Sequence, residues 1–430
     1  MFRIMSSLPS ILNQKKKKNL FYKNHKENLK MDLIGYVQQY DWGKIGNDSA
    51  VAQLAAANDP NFIIDDKSHY AELWMGSHPS GQAKYKSNGA RLEDELPFLL
   101  KVLSIKKALS IQVHPNKAEA EVLHKNEPTI YKDPNNKPEM AIALTPFVGL
   151  CGFRPLSEIR DIILNIPPLG ELAVDNSKDL DLLSKNEEAG LRHCYANLMS
   201  ADGVAVTKCI DEISKQYWKV LCRYNVLEIF NKLNEDFPND VGVLSLFFLN
   251  VVHLKPGEAM FLGANQIHAY LSGDCVECMA CSDNVIRAGL TPKFKDINQL
   301  LKSLEYKGSP PESKIFTPKR IDELQLIFIP PVEDFALIQL TLKPTDNEYV
   351  LKVEQTPGIL LVLNGQRSLE INGFNNLLLK RGSIVYLPCE SGVELRFIDR
   401  ENSDTIFLAY ISTPNTVLTT NIEIVEKKII

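Results

Sequence analysis

Two distant stretches of this chain carry one pattern. Leu254-Lys255-Pro256-Gly257 runs into the apolar Ala259-Met260-Phe261-Leu262, and Leu379-Lys380-Arg381-Gly382 runs into Ile384-Val385-Tyr386-Leu387. A glycine turn feeding an apolar strand, used twice, predicts two related antiparallel barrels of jelly-roll type. Leu361-Val362-Leu363 ending in Asn364-Gly365 reads as another strand and turn. His268 lies fourteen residues after Leu254; the same offset from Leu379 is Val393, and residues 326–430 contain no histidine. The second barrel is therefore expected to lack a ligand that the first retains.

The rest of the chain divides around these modules. At 430 residues it exceeds one ordinary domain, and 44% hydrophobic content allows sizeable cores. Residues 31–154 read mainly as short strands and turns, with turn signals at Pro79-Ser80-Gly81 and Ser87-Asn88-Gly89. Character changes over 155–240. Ser157-Glu158 could open a helix, and Val226, Ile229, Phe230, Leu233 and Phe237 have helical spacing, so a helical insert is expected. Strand character is read as returning at Val241. The expected organisation is a discontinuous first barrel domain (31–154 and 241–325), the insert (155–240), and a C-terminal barrel domain without metal (326–430). Residues 1–30, with their Lys15–Lys18 run, read as an appended disordered extension; a transit peptide would be richer in Arg and Ser.

Candidate chemistry begins at Leu109-Ser110-Ile111-Gln112-Val113-His114-Pro115-Asn116. Side chains alternate faces along a strand, so Ser110, Gln112 and His114 share one side. Polar groups on an inward face need partners, and a metal ion suits an amide oxygen and an imidazole together. A half-buried strand with one satisfied histidine would explain this pair equally well. Glu139, after Lys137-Pro138, sits at the mouth of an apolar run, and His268 lies between apolar residues. Two histidines, one glutamate and one glutamine could form a mixed N and O ligand set of the kind zinc accepts, although spacing alone does not prove that they converge. Lys101 interrupts the apolar run Leu96–Leu103 and needs solvent or an anion.

The chain resembles type I phosphomannose isomerases, a family also called mannose-6-phosphate isomerase. The resemblance rests on Tyr40-Asp41-Trp42-Gly43, Ala71-Glu72-Leu73-Trp74-Met75-Gly76, Leu109–Asn116, Tyr131-Lys132-Asp133-Pro134 through Glu139, and Gly257 through Lys293. These segments cover most of residues 35–297; the C-terminal third is looser. The resemblance implies a mainly β protein with a helical insert, built on two cupin-like (jelly-roll) domains. It also implies Gln112, His114, Glu139 and His268 as ligands to one zinc ion. Arg287 would stand beside the reacting carbons, with Glu277 and Asp283 as candidates for acid–base work. Lys101, Ser110, Lys137, Lys293, Tyr270, Trp42 and Glu72 would meet the substrate, a hexose phosphate. The implied reaction interconverts mannose 6-phosphate and fructose 6-phosphate through an enediol, supplying mannose for GDP-mannose and glycans. Gln266-Ile267, before His268, departs from the pairs often found there in the family.

Competing readings remain. A metal-dependent cupin oxygenase would also use two histidines and a carboxylate, but Gln112 and the basic residues argue against it. A non-catalytic sugar-binding relative would not need intact candidates at every metal position and at Arg287. A net charge of −5 gives no pull toward nucleic acid or membrane, and no apolar run reaches the ~20 residues of a membrane span. Eight cysteines in so long a chain suggest free thiols and a reducing compartment, so a cytoplasmic location is expected; a monomer is the working expectation, although the sequence does not fix the oligomeric state. Cys275, Cys278 and Cys281 form a CxxCxxC pattern that lacks a fourth nearby ligand. His69, His78, His124, His193 and His253 are expected to be structural.

Overall fold

A computed structural model describes residues 31–353, 357–388, 393–401 and 403–415. The extension expected over residues 1–30 lies outside them. The fold is mainly β with a block of helices between two strand-rich regions.

The organising strand of the first region is His268–Ala280. Its first half pairs antiparallel with Phe147–Phe153 and touches Ile111–Val113. Its second half pairs with Phe98–Ile105 on one side and Glu139–Ala143 on the other. The change of partners falls at Gly273, whose φ of +111° and position 2.7 Å from the Pro146 carbonyl (measured from a Cβ built there) leave no room for a side chain. The partner strand Glu139–Ala143 starts directly after Pro138, as its sequence suggests.

Two helices interrupt residues 31–154. Ala50–Asn58 starts at Ser49, whose Oγ accepts the Ala52 N–H. Its buried residues Val51, Leu54, Ala55 and Asn58 form a stripe, but Ala50, Ala56 and Ala57 leave the other side nearly as apolar and Asn58 puts an amide on the buried side, so the sequence shows little contrast between faces. Lys117–Asn126 opens with a capping box in which Asn116 and Glu119 exchange side-chain and backbone hydrogen bonds of 3.0 Å. From Leu156 to Ser245 the chain is helical with short links. The helix Leu227–Asp236 buries Phe230 and Leu233, and Val226 is buried just before it. Strand structure returns at Leu249, not Val241: Gly242–Ser245 is still a helical turn. Every residue from Val243 to Leu249 is buried, so the apolar run carries no period that could separate helix from strand.

The C-terminal region packs two sheets over one core. Ala336–Leu342, Phe407–Thr413, Gly358–Asn364 and Ile384–Leu387 run adjacent in one, and Glu348–Val353, Val393–Ile398, Gln366–Ile371 and Phe374–Lys380 in the other. Leu340, Leu360, Val362, Leu369, Leu395 and Phe397 fill the space between them. The Asn364-Gly365 turn does not close a hairpin; its flanking strands belong to different sheets, so it is a corner. The tight hairpin is at Asn372-Gly373, both with positive φ, between Ile371 and Phe374.

The repeated turn is the same structure twice. Gly257 and Gly382 have φ of +87° and +83°. In each turn the residue after the glycine accepts a side-chain hydrogen bond from the N–H of the turn's lysine: Glu258 from Lys255 at 2.9 Å, Ser383 from Lys380 at 3.0 Å. The strand that follows each repeat begins at His268 in one and Val393 in the other.

The cysteine pattern disperses. Cys275 joins a core with Leu103 and Phe147, Cys278 one with Phe98 and Met140, and Cys281 packs near Trp74 and Leu99. All cysteines among the described residues are free thiols.

Asn58 ties the two strand-rich regions together. Its amide donates to the carbonyls of Leu33 (2.9 Å) and Gly382 (2.8 Å) and accepts the Gly35 N–H (3.2 Å). Its side chain is buried, so Asn58→Ala strands three backbone groups. The expected loss is on the order of 3 kcal/mol, read as a lower urea midpoint with an unchanged slope. An unmoved midpoint would show that water replaces the amide without cost.

Candidate active site

Ile111–Val113 and the first residue of His268–Ala280 lie side by side, with His268 directly opposite Gln112. His114 follows that short strand, and Glu139 begins the neighbouring one. Ligand atoms of His114, Glu139 and His268 all lie within 4.8 Å of one another. His114 Nε2 is 3.3 Å from Glu139 Oε1, and His268 Nε2 is 3.5 Å from Glu139 Oε2.

Each imidazole is oriented from behind. His114 Nδ1 lies 2.7 Å from the Asn284 carbonyl and His268 Nδ1 lies 2.8 Å from the Gln266 carbonyl. A carbonyl only accepts, so both Nδ1 atoms carry the proton and both Nε2 lone pairs turn toward Glu139. Burial pushes His114 down to about 4, keeping it neutral. Burial alone would raise the Glu139 carboxyl, but the Lys137 ammonium beside it holds it well below the usual carboxylate range. Glu139 Oε2 is buried without a hydrogen bond. Inward lone pairs and an orphaned carboxylate oxygen fit a divalent ion with N and O donors. Gln112 faces both histidines, its Nε2 3.5 and 3.4 Å from their Nε2 atoms, while its Oε1 accepts from Ser110 Oγ at 3.2 Å. A ligating amide must present its oxygen, the reverse of this orientation.

Beside this cluster opens a cavity of about 550 Å³. Trp42, Glu72, Lys101, Ser110, Gln112, Lys137, Glu139, Tyr270, Glu277, Asp283, Arg287 and Lys293 all line it. Lys101 Nζ donates to Glu277 at 3.1 Å, lies 3.9 Å from Glu72 and sits 5.3 Å from the Trp74 ring centre. Burial works against its charge, yet the two carboxylates hold its proton more firmly than usual. Burial raises Glu277 despite Lys101 beside it. Burial, reinforced by Glu277, also raises the Tyr270 hydroxyl. Glu72 accepts from the Trp74 indole. Lys137 lies 3.2 Å from Glu139 Oε1. Arg287 is half-buried opposite Gln112, and burial lowers its pKa; among the described residues no carboxylate pairs with it. Asp283 stands at the rim with 53% of its side chain exposed, 3.6 Å from His78 Nε2. Trp42 stacks on Tyr40 at 5.8 Å, and Lys293 is exposed.

Sequence reasoning missed several lining residues. His78, expected to be structural, faces the cavity and packs edge-on against Trp74 at 5.2 Å. Trp74 shared a strand face with Glu72, a signal that was available. Lys107 and Phe237 had none, because they meet only in space. Asn284 acts through its backbone carbonyl; its amide is laced to the carbonyls of Asp133 (2.6 Å) and Asn135 (2.9 Å), which sets that carbonyl behind His114.

A two-histidine, one-carboxylate centre beside a cation-bearing pocket on a β scaffold defines a metal-site protein for small anionic ligands. Comparison with known proteins narrows that class. A family model described as phosphomannose isomerase type I, catalytic domain, matches residues 29–91 and 85–156. Mannose-6-phosphate isomerase of Bos taurus is 42% identical, covering 84% of this chain and 93% of its own; the Homo sapiens protein is 40% identical, covering 84% and 94%. A crystal structure of mannose 6-phosphate isomerase bound with zinc and yttrium superposes with a TM-score of 0.74 at 30% identity, covering 89% of this chain and 99% of its own. The chain belongs to the type I phosphomannose isomerase family.

Proposed function

We propose that this protein is a zinc-dependent isomerase that interconverts mannose 6-phosphate and fructose 6-phosphate. The observation that carries the reading is the His114–Glu139–His268 cluster set against one cavity whose wall includes Glu139, the buried Lys101–Glu277 pair and Arg287, which has no carboxylate partner among the described residues. Gln112, His114, Glu139 and His268 would hold one zinc ion, which polarises sugar oxygens when bound. Arg287 faces the negative charge that develops as the enediol forms. Glu277 is the better proton carrier between C2 and C1: burial raises its pKa, which makes the carboxylate a stronger base, and Lys101 keeps it oriented. Asp283, largely in solvent, suits the opening or orientation of the sugar at the rim. Tyr270, Trp42 and Glu72 shape the wall, with Ser110, Lys137 and Lys293 as substrate contacts.

Residues 31–154 and 241–325 form the catalytic unit in this reading, 155–240 the helical insert and 326–430 a metal-free module. The chain acts as a cytoplasmic monomer supplying mannose for GDP-mannose and glycan synthesis. No helix among the described residues is long and apolar enough to cross a membrane.

The test is incubation of purified protein with mannose 6-phosphate, with and without chelator. Fructose 6-phosphate should form, vanish with chelator and return with zinc, and elemental analysis should find one ion per chain. A zinc-replete enzyme that makes no fructose 6-phosphate would sink the isomerase reading. A second ion bound within 326–430 would sink the metal-free assignment.

A further inference from the structure

The pocket's cations are not equivalent. Lys101 and Lys137 are already engaged by Glu277 and Glu139. Lys107, Arg287 and Lys293 line the same pocket and have no carboxylate partner among the described residues. Arg287 sits opposite Gln112, at the metal end. Lys107 and the loop that carries Lys293 both meet a single corner of the helical block, residues 237–240.

Lys107 Nζ lies over the Phe237 ring, 4.4 Å from its centre, and its backbone N–H donates to the Trp42 carbonyl at 3.1 Å. A ring face steers an ammonium without neutralising it, so the full charge remains for an anion. Asp240 holds the loop that carries Lys293 at two points. Its Oδ1 accepts the Leu290 N–H at 2.8 Å and the Gly242 N–H at 2.7 Å, while its Oδ2 pairs with Lys295 at 3.2 Å. Leu290 has φ +54°, a conformation a leucine adopts only when held. The backbones of Gly242 and Gly289 meet so closely that a Cβ on either would lie 2.6 Å from the other segment. The corner itself is closed by the Asp240 N–H donating to the Phe237 carbonyl at 3.2 Å.

We propose that the Phe237–Asp240 corner positions Lys107 and Lys293 as a clamp for the substrate's phosphate dianion. Lys107 is the direct binding residue that this adds, and Phe237 and Asp240 are positioning residues. The proposal rests on the isomerase reading for its substrate, but the clamp recognises phosphate whatever sugar carries it.

The experiment pairs steady-state kinetics on mannose 6-phosphate with calorimetric titration of inorganic phosphate into zinc-loaded enzyme. Lys107→Met and Lys293→Met should each raise KM and weaken phosphate binding about 10-fold, the effect of one charge-assisted hydrogen bond, with kcat within about threefold. Phe237→Leu should raise KM about threefold, and adding it to Lys107→Met should change nothing further, because the ring acts only through the lysine. Asp240→Asn, which removes the charge that pairs with Lys295, should raise KM in the wild type but not in the Lys293→Met background. Unchanged KM and phosphate affinity in Lys107→Met would overturn the clamp, and additive effects in the double variants would overturn the positioning roles. Should wild-type enzyme bind phosphate through Lys107 yet make no fructose 6-phosphate, the clamp stands and the isomerase reading falls.

Discussion

His114→Ala is expected to abolish zinc binding and fructose 6-phosphate formation together. The imidazole is fully buried, its Nδ1 proton fixed by the Asn284 carbonyl and its Nε2 aimed at Glu139. Alanine removes a buried nitrogen donor and leaves Glu139 with Lys137 and His268 beside it. A Lewis-acid metal contributes several kcal/mol to stabilising charge at a sugar oxygen. Each 1.36 kcal/mol is tenfold in rate, so the turnover should fall at least ~10³-fold. His268→Ala should behave alike, since its Nδ1 is held in the same way by Gln266. Elemental analysis separates this from misfolding when read beside circular dichroism. A folded variant with full zinc content would show that the ligand assignment is wrong.

Arg287→Ala should leave zinc in place and lower kcat on the order of 10²-fold, the scale of losing one oxyanion donor. The guanidinium faces the cavity opposite Gln112, with no carboxylate to neutralise it among the described residues. An interaction made only as charge develops lowers kcat and kcat/KM together. Arg287→Lys should rescue only in part, because a point charge replaces a planar fork of donors. A raised KM with near-normal kcat would make Arg287 a holder of ground-state charge, and its catalytic role would be dropped.

Part of the candidate metal cluster was legible because Gln112 and His114 lie in or beside a short strand, where alternation decides which side chains share a face. Glu139 was read instead from its place after Pro138 at the mouth of an apolar run, and the repeated Gly257 and Gly382 turns announced two like modules. What stayed hidden has a common physical cause. Asn284 orients His114 through a carbonyl, and every residue has one, so no residue type marks it; the two are 170 positions apart. The cation–π contact of Lys107 with Phe237 joins the first strand region to the helical block, with no spacing to reveal it. His78 looked idle because its partners, Trp74 and Asp283, come from separate strands and loops. The helix Ala50–Asn58 escaped because alanines lie on both of its faces, so its buried stripe stands out little from the rest. The same uniform burial blurred the boundary between Gly242–Ser245 and the strand at Leu249.

The strand His268–Ala280 also dictates an order of assembly. It is the piece against which Phe98–Ile105 and Glu139–Ala143 pair, and Lys101 meets Glu277 across 176 positions of chain. During synthesis the helical block, whose contacts are largely between neighbours such as Ser177–Ser184 and Glu188–Ser200, can close as it emerges. Phe98–Ile105, buried along its whole length in the finished protein, must wait with an open edge until residue 280 has left the ribosome. Unpaired apolar strands are the surfaces that aggregate and that chaperones hold. Nascent chains halted before His268 should therefore be the aggregation-prone species, and those released after Ala280 should not.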